Sequence, residues 1–147
     1  ASLRLTAGYA YTDARFTEGA FAGAFPPFVN VPIGGKYVPL VPQNKLNMGF
    51  VWTAAPRTTV SGGVNWQSSQ YMDNDEANNL GSKIPGFTVV NLKAAQNLDF
   101  GRVAFSVNNL FNEKYYTYAV RSNFTADRYA VYPLPGRTVA LAIELKM

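Results

Sequence analysis

Every second residue is apolar in six separate stretches of the chain. Leu3, Leu5, Ala7, Tyr9 and Tyr11 share one parity, while Ser2, Arg4, Thr6, Gly8 and Ala10 share the other. Successive strand side chains point to opposite faces, so this alternation predicts a β-strand with one apolar face and one face of small or polar groups. The split recurs at Leu46, Met48, Phe50 and Trp52, then at Val60, Gly62, Val64 and Trp66. It continues at Thr88, Val90, Leu92 and Ala94, at Val103, Phe105 and Val107, and at Val139, Leu141, Ile143, Leu145 and Met147.

The connections between these stretches alternate in length. Residues 13 to 44, 68 to 84 and 117 to 128 are long, whereas 54 to 57 and 96 to 101 are short. Outer-membrane barrels have this asymmetry, with long external loops and short periplasmic turns. The expected fold class is therefore all-β: an antiparallel, up-and-down transmembrane β-barrel segment of about six strands. It is incomplete, because the smallest such barrels have about eight strands. Loop length predicts that the three long connections lie outside the cell. Arg4, Lys45, Lys93, Arg102, Glu144 and Lys146 all fall on the non-apolar parity, and Arg137 falls at a strand mouth. A lipid-facing charge is costly at the bilayer centre, so this distribution supports lipid outside and a wet interior. Tyr9, Tyr11, Trp52, Trp66, Tyr71 and Tyr129 are expected in an aromatic girdle near strand ends.

Composition narrows the chemistry. Only 15% of the 147 residues are charged, and the net +4 forms no basic run, which argues against nucleic acid as a partner. The absence of Cys and His removes thiol nucleophiles, thiolate metal sites and the commonest general base. No catalytic residues, no metal site and no cofactor are expected. Asp73, Asp75 and Glu76 read as a solvated loop: Ala77 stands at the fifth position of a would-be calcium loop and no Gly follows at the sixth. No apolar run of about 18 residues is present for a transmembrane helix. The chain opens directly on a strand pattern with no basic-then-apolar leader, so residue 1 reads as an internal cut in a longer polypeptide.

Two strings near the C-terminus carry a family resemblance. Asn109-Leu110-Phe111-Asn112, followed by Tyr115-Tyr116, resembles the NLF-[DN]-x-x-Y-Y string of TonB-dependent outer-membrane receptors. Tyr132-Pro133-Leu134-Pro135-Gly136-Arg137 resembles the turn into their last strand, and Val41 to Asn47 resembles the segment before a late strand. The resemblance implies the C-terminal part of a barrel of about 22 strands, closed by an N-terminal plug, in the bacterial outer membrane. It implies import of a metal chelate, such as a ferric siderophore or cobalamin, driven through TonB. Neither plug nor TonB box occurs within these residues. The implied partners are outer-membrane lipid and lipopolysaccharide, the plug and earlier strands of the same polypeptide, TonB acting through that missing part, the barrel-assembly machinery and the chelate. The family usually ends on an aromatic residue that the assembly machinery reads, and Leu145-Lys146-Met147 departs from that pattern.

For the ligand, Arg121 and Arg128 offer forked donors, while Tyr71, Tyr118 and Tyr129 offer flat faces with a hydroxyl. Phe21, Phe25 and Phe28 are further contact candidates. The alternatives are a passive porin or channel segment, and a soluble all-β carbohydrate-binding module with aromatic platforms.

Overall fold

The computed structural model describes residues 1–23 and 29–146. In chain order its strands are β1 (Ser2–Tyr11), β2 (Ala20–Phe21), β3 (Val31–Pro32), β4 (Asn44–Ala55), β5 (Thr58–Gln67), β6 (Phe87–Leu98), β7 (Gly101–Asn108), β8 (Tyr116–Arg121), β9 (Tyr129–Pro133) and β10 (Thr138–Leu145). The six alternating stretches pair, each antiparallel to the next, in one sheet of order β1-β4-β5-β6-β7-β10. The fold is all-β and up-and-down, as expected. Among the described residues β1 pairs only with β4 and β10 only with β7, so the wall is open at both sides.

The register keeps the two faces separate across the whole width. Leu3 opposes Trp52, Trp52 opposes Val60, Val60 opposes Ala94, Ala94 opposes Phe105 and Phe105 opposes Leu141. Directly opposed residues share a face, so this row and its neighbours form one continuous apolar surface. Leu5 is 71% exposed and Leu141 65% exposed on it. Burial of such a side chain is worth roughly 1.5–3 kcal/mol, which bare water would leave unrealised along the entire sheet. The opposite face is more enclosed, with Val89, Ala95 and Ala104 buried. Its rows run through small and polar groups, as in Arg4–Val51–Ser61–Lys93–Ser106–Ala140.

At one end the strands are joined by two tight turns, Pro56–Arg57 and Asp99–Phe100. The second is shorter than the 96–101 connection read from the sequence, because β6 runs on to Leu98 and β7 begins at Gly101. Gly101 has a φ of +154°, and a Cβ there would lie 2.0 Å from the Glu144 carbonyl oxygen, so only glycine fits. Arg57 donates to Asp99 and ties the two turns together.

At the other end the long connections have structure of their own. The 13–44 segment contains the β2–β3 hairpin, and the 117–128 loop is largely the hairpin β8–β9. Arg137 lies just before β10 rather than within a strand. Of the expected girdle, Tyr9, Tyr11 and Trp66 stand at the outer strand ends and Trp52 near the other end, ~20 Å lower by strand rise. Tyr71 and Tyr129 do not belong to that wall: Tyr71 follows β5 in a loop and Tyr129 starts β9. Phe25, Phe28 and Met147 lie outside the described residues.

Candidate functional site

The loop after β5 begins with a polar run that the sequence presents as solvated, yet Asp75 is fully buried. Its Oδ1 accepts hydrogen bonds from the backbone N–H groups of Asn79 (2.9 Å) and Leu80 (3.1 Å). Asn74 and Asn78 adopt left-handed backbone conformations, with φ of 62° and 54°, which their short amides tolerate better than most side chains. The chain can therefore coil around the Asp75 carboxylate. Arg121, from β8, completes the arrangement by donating to Asp75 Oδ1 at 3.3 Å and to Asn79 Oδ1 at 2.6 Å.

Around this coil the three long connections interlock. Asp73 N–H donates to the Ala119 carbonyl and Arg121 N–H to the Asp73 carbonyl, each at 2.9 Å. Asn78 mimics a backbone strand toward the first connection: its Oδ1 accepts from Tyr37 N–H at 2.7 Å and its Nδ2 donates to the Tyr37 carbonyl at 3.0 Å. Met72, Leu80, Ile84 and Ala119 form a buried apolar cluster against which Leu40 and Tyr116 pack. Burial raises the Tyr116 phenol above its ordinary pKa, with Tyr129 adding to the effect.

The five proposed ligand contacts separate into two groups. Tyr71 stacks on Tyr37 at 5.9 Å, and Lys83 lies 4.1 Å over its ring. Tyr118 donates its hydroxyl to Asp73 Oδ2 at 2.7 Å and packs against Tyr132 at 5.2 Å. That hydrogen bond is the main reason its phenol is held above the ordinary value, followed by partial desolvation. With Arg121 tied to Asp75, these three side chains hold the loops together. Arg128 and Tyr129, by contrast, are exposed. Phe21 lines a cavity of about 220 Å³ together with Val31, Ala77 and Arg121. Among the described residues no group of three or more His, Cys, Asp or Glu is placed to hold a metal ion.

The two C-terminal strings turn out to be one structure. Asn109 and Asn112 both have left-handed φ, 52° and 55°. The buried Asn109 side chain closes the turn, accepting from Glu113 N–H at 2.8 Å and donating to the Glu113 carbonyl at 2.9 Å. Asn91, on β6, accepts from Asn109 N–H at 2.9 Å. Asn112 Oδ1 then accepts from Arg137 N–H at 2.9 Å, and a Cβ on Gly136 would lie only 2.6 Å from that same oxygen. Leu134 N–H donates to the Tyr115 carbonyl at 3.0 Å, and Tyr115 packs on Phe87 with ring centroids 4.5 Å apart. Leu110 is half-buried and Phe111 exposed. Sequence reasoning found these strings but read Asp73 and Asp75 as solvated, which the burial of Asp75 overturns, and it passed over Asn78 and Asn79. The density of Asp and Asn from 73 to 79, which favours side-chain-closed turns, was the available signal.

The inner face of the wall forms a second candidate surface. Arg4 and Lys93 flank a concavity floored by Gly49 and Gly63, with Thr6 and Asn91 beside them.

The family model for the TonB dependent receptor-like β-barrel matches residues 2–110. No curated protein sequence matches the chain. Among solved structures, the siderophore receptor PiuA from Acinetobacter baumannii is 21% identical with a TM-score of 0.77, covering 97% of this chain and 19% of that one. The ferric citrate transporter FecA in its unliganded form is 25% identical with a TM-score of 0.71, over 97% of this chain and 21% of that one. The ferric-catecholate import receptor Fiu from K12 E. coli is 19% identical with a TM-score of 0.73, over 97% and 18% respectively. The chain thus spans about a fifth of the length of the receptors it resembles.

Proposed function

Because the chain belongs to the TonB dependent receptor-like β-barrel family, we propose that it forms the closing strands of an outer-membrane receptor that imports a metal chelate, such as a ferric siderophore, with energy delivered through TonB. The observation that carries this reading is the apolar face, kept in register across all six wall strands and left uncovered. A soluble carbohydrate-binding module would leave that face in water, at a cost no isolated sheet of this size sustains. Family membership implies the bacterial outer membrane as the location and speaks for transport rather than catalysis.

In this reading the wall strands cross the membrane, the interlocked hairpins face outward, and the turns Pro56–Arg57 and Asp99–Phe100 face the periplasm. The plug and the earlier strands come from the same polypeptide, and the barrel-assembly machinery inserts the whole. Arg128 and Tyr129 are the best-placed contacts for an acceptor-rich chelate, since their side chains are exposed while Tyr71, Tyr118 and Arg121 are engaged within the loops. Lipopolysaccharide phosphate is the competing partner for Arg128.

The test is uptake by cells expressing the full reading frame, offered a panel of radio-iron chelates, with and without TonB. Energy-dependent accumulation of one chelate, lost when TonB is deleted, is expected. Entry that persists without TonB would instead make the protein a passive channel.

A further inference from the structure

The long connections hold seven Lys or Arg against seven Asp or Glu, so the outer part of this chain carries no net charge. Arg15 and Arg121 are already paired there, with Asp13 and Asp75. Clefts lined by one sign of charge capture oppositely charged solutes faster, by about one to three orders of magnitude. A balanced entrance gives an anion no such advantage.

The inner face has a hollow of about 520 Å³ at the outer ends of β5, β6, β7 and β10, where Asn65, Asn108 and Thr138 are exposed. The foot of the β8–β9 hairpin bounds it, with Thr117 exposed and Leu134 N–H donating to the Tyr115 carbonyl at 3.0 Å. Phe87 and Tyr115, both half-buried, meet at 45° and give it an apolar flank. Among the described residues no charged side chain lines this hollow. Arg137, which follows Gly136 at the rim, donates to the Leu110 carbonyl at 3.5 Å. Lys45 shares a row with Phe87 but stands two strands away across Gln67, ~10 Å, beyond the ~8 Å over which physiological salt screens charges. Lys93 lines the lower hollow floored by Gly49 and Gly63.

Small-molecule sites combine apolar walls with a few placed polar groups, and this hollow has that make-up. Its amides and hydroxyls can both donate to and accept from neutral oxygen groups, while the two rings cover flat or apolar parts of a solute. An anionic centre drawn out of water against them would find no counter-charge, which is the costly case. Ferric chelates divide by this property: three singly ionised hydroxamates cancel the charge of Fe(III), whereas three doubly ionised catecholates leave a trianion. We propose that the hollow seats an uncharged, oxygen-rich solute. Its identity rests on the receptor reading, in which it is a neutral ferric chelate of the trihydroxamate class.

The experiment titrates the purified full-length receptor, by calorimetry at one ionic strength, with a neutral ferric trihydroxamate, an anionic ferric tricatecholate and a neutral oligosaccharide. The trihydroxamate should bind about tenfold tighter than the tricatecholate, or better, and its affinity should not fall as salt is raised. Asn65→Arg, which sets a cation in the hollow, should shift the ratio of the two affinities toward the tricatecholate by about tenfold, with assembly judged by heat-modifiable electrophoretic mobility. Should that variant fail to assemble, Thr138→Lys adds the same charge from β10 and must give the same shift. A parent that prefers the tricatecholate overturns the proposal alone. So does a ratio that an assembled variant leaves unmoved, which would place the choice of ligand outside the hollow. Binding of the oligosaccharide and of neither chelate upholds the uncharged solute and overturns the chelate reading. A receptor that takes none of the three overturns both.

Discussion

Arg121 reaches across 46 positions of sequence to donate to Asp75, a carboxylate with no exposed surface. The pair joins the β8–β9 hairpin to the loop after β5. Removing one partner of a buried pair leaves the other charge stranded, at about 3–5 kcal/mol. Because the Arg121 side chain is itself 18% exposed, the lower end of that range applies. Arg121→Ala should raise hydrogen exchange at the Asn79 and Leu80 amides by about two orders of magnitude. Exchange rates equal to the parent's would show that the pair is not what holds the coil.

Uptake should respond differently at Arg128. With its side chain exposed, Arg128→Ala should leave loop protection unchanged while weakening chelate uptake about tenfold, or ~1.4 kcal/mol. Unchanged uptake at normal assembly would return Arg128 to a lipopolysaccharide contact or a purely structural role.

Asn109 combines a left-handed φ with a closed set of side-chain bonds, so Ala and Gly substitutions separate the two contributions. Asn109→Ala should destabilise the assembled barrel by on the order of 3 kcal/mol, from strain and lost bonds together. Asn109→Gly should recover the backbone share, and denaturant midpoints of the two would be compared. Equal midpoints would mean that the left-handed conformation costs nothing there.

Much of this was legible in the chain. Alternation located all six wall strands because each strand carries its whole signal within about ten residues. The outer cluster was not legible, for a physical reason: Met72, Leu80 and Ile84 follow no helical or strand period, and they pack on Ala119, which arrives more than 30 residues later. The burial of Asp75 likewise depends on Arg121 from another hairpin, so its local sequence reads as solvated. Val120 and Ala130, paired in β8–β9, belong to strands too short and too irregular in register to announce themselves.

The wall offers a facing test. Val64 opposes Met48 and Val90 on the apolar side, while its neighbour Asn65 opposes Asn47 and Val89 on the inner side. Val64→Arg should cost about 2–4 kcal/mol if that side meets lipid near mid-membrane, and Asn65→Arg should assemble nearly as well as the parent. Equal losses of assembled barrel would contradict the facing.

Alkaline pH should act on the outer hairpin. Tyr118 is held above its ordinary value of 10.0 chiefly by its hydrogen bond to Asp73. The neutral phenol is the bonded form, so the contribution is complete below pH 10 and is lost as pH rises through the elevated value. Phenolate absorbance should show Tyr118 titrating late together with Tyr116, and Asp73→Asn should bring the Tyr118 share alone back toward the others. A titration unaffected by that substitution would remove Asp73 as the cause.

The tight turns have a consequence for heredity as well as for shape. A single-residue slip in a strand exchanges its two faces. The chain already absorbs one such extra residue at the irregularity between Thr53 and Ala55, just before Pro56–Arg57. An insertion or deletion of one codon at either turn, if the strand beyond it slid rather than bulged, would turn Ser61 or Arg102 outward and Val60 or Val103 inward. Reading frames of this kind should therefore tolerate length changes freely in the outer hairpins and almost none at Pro56–Arg57 and Asp99–Phe100, where each dipeptide decides which side of the strand directly after it meets oil.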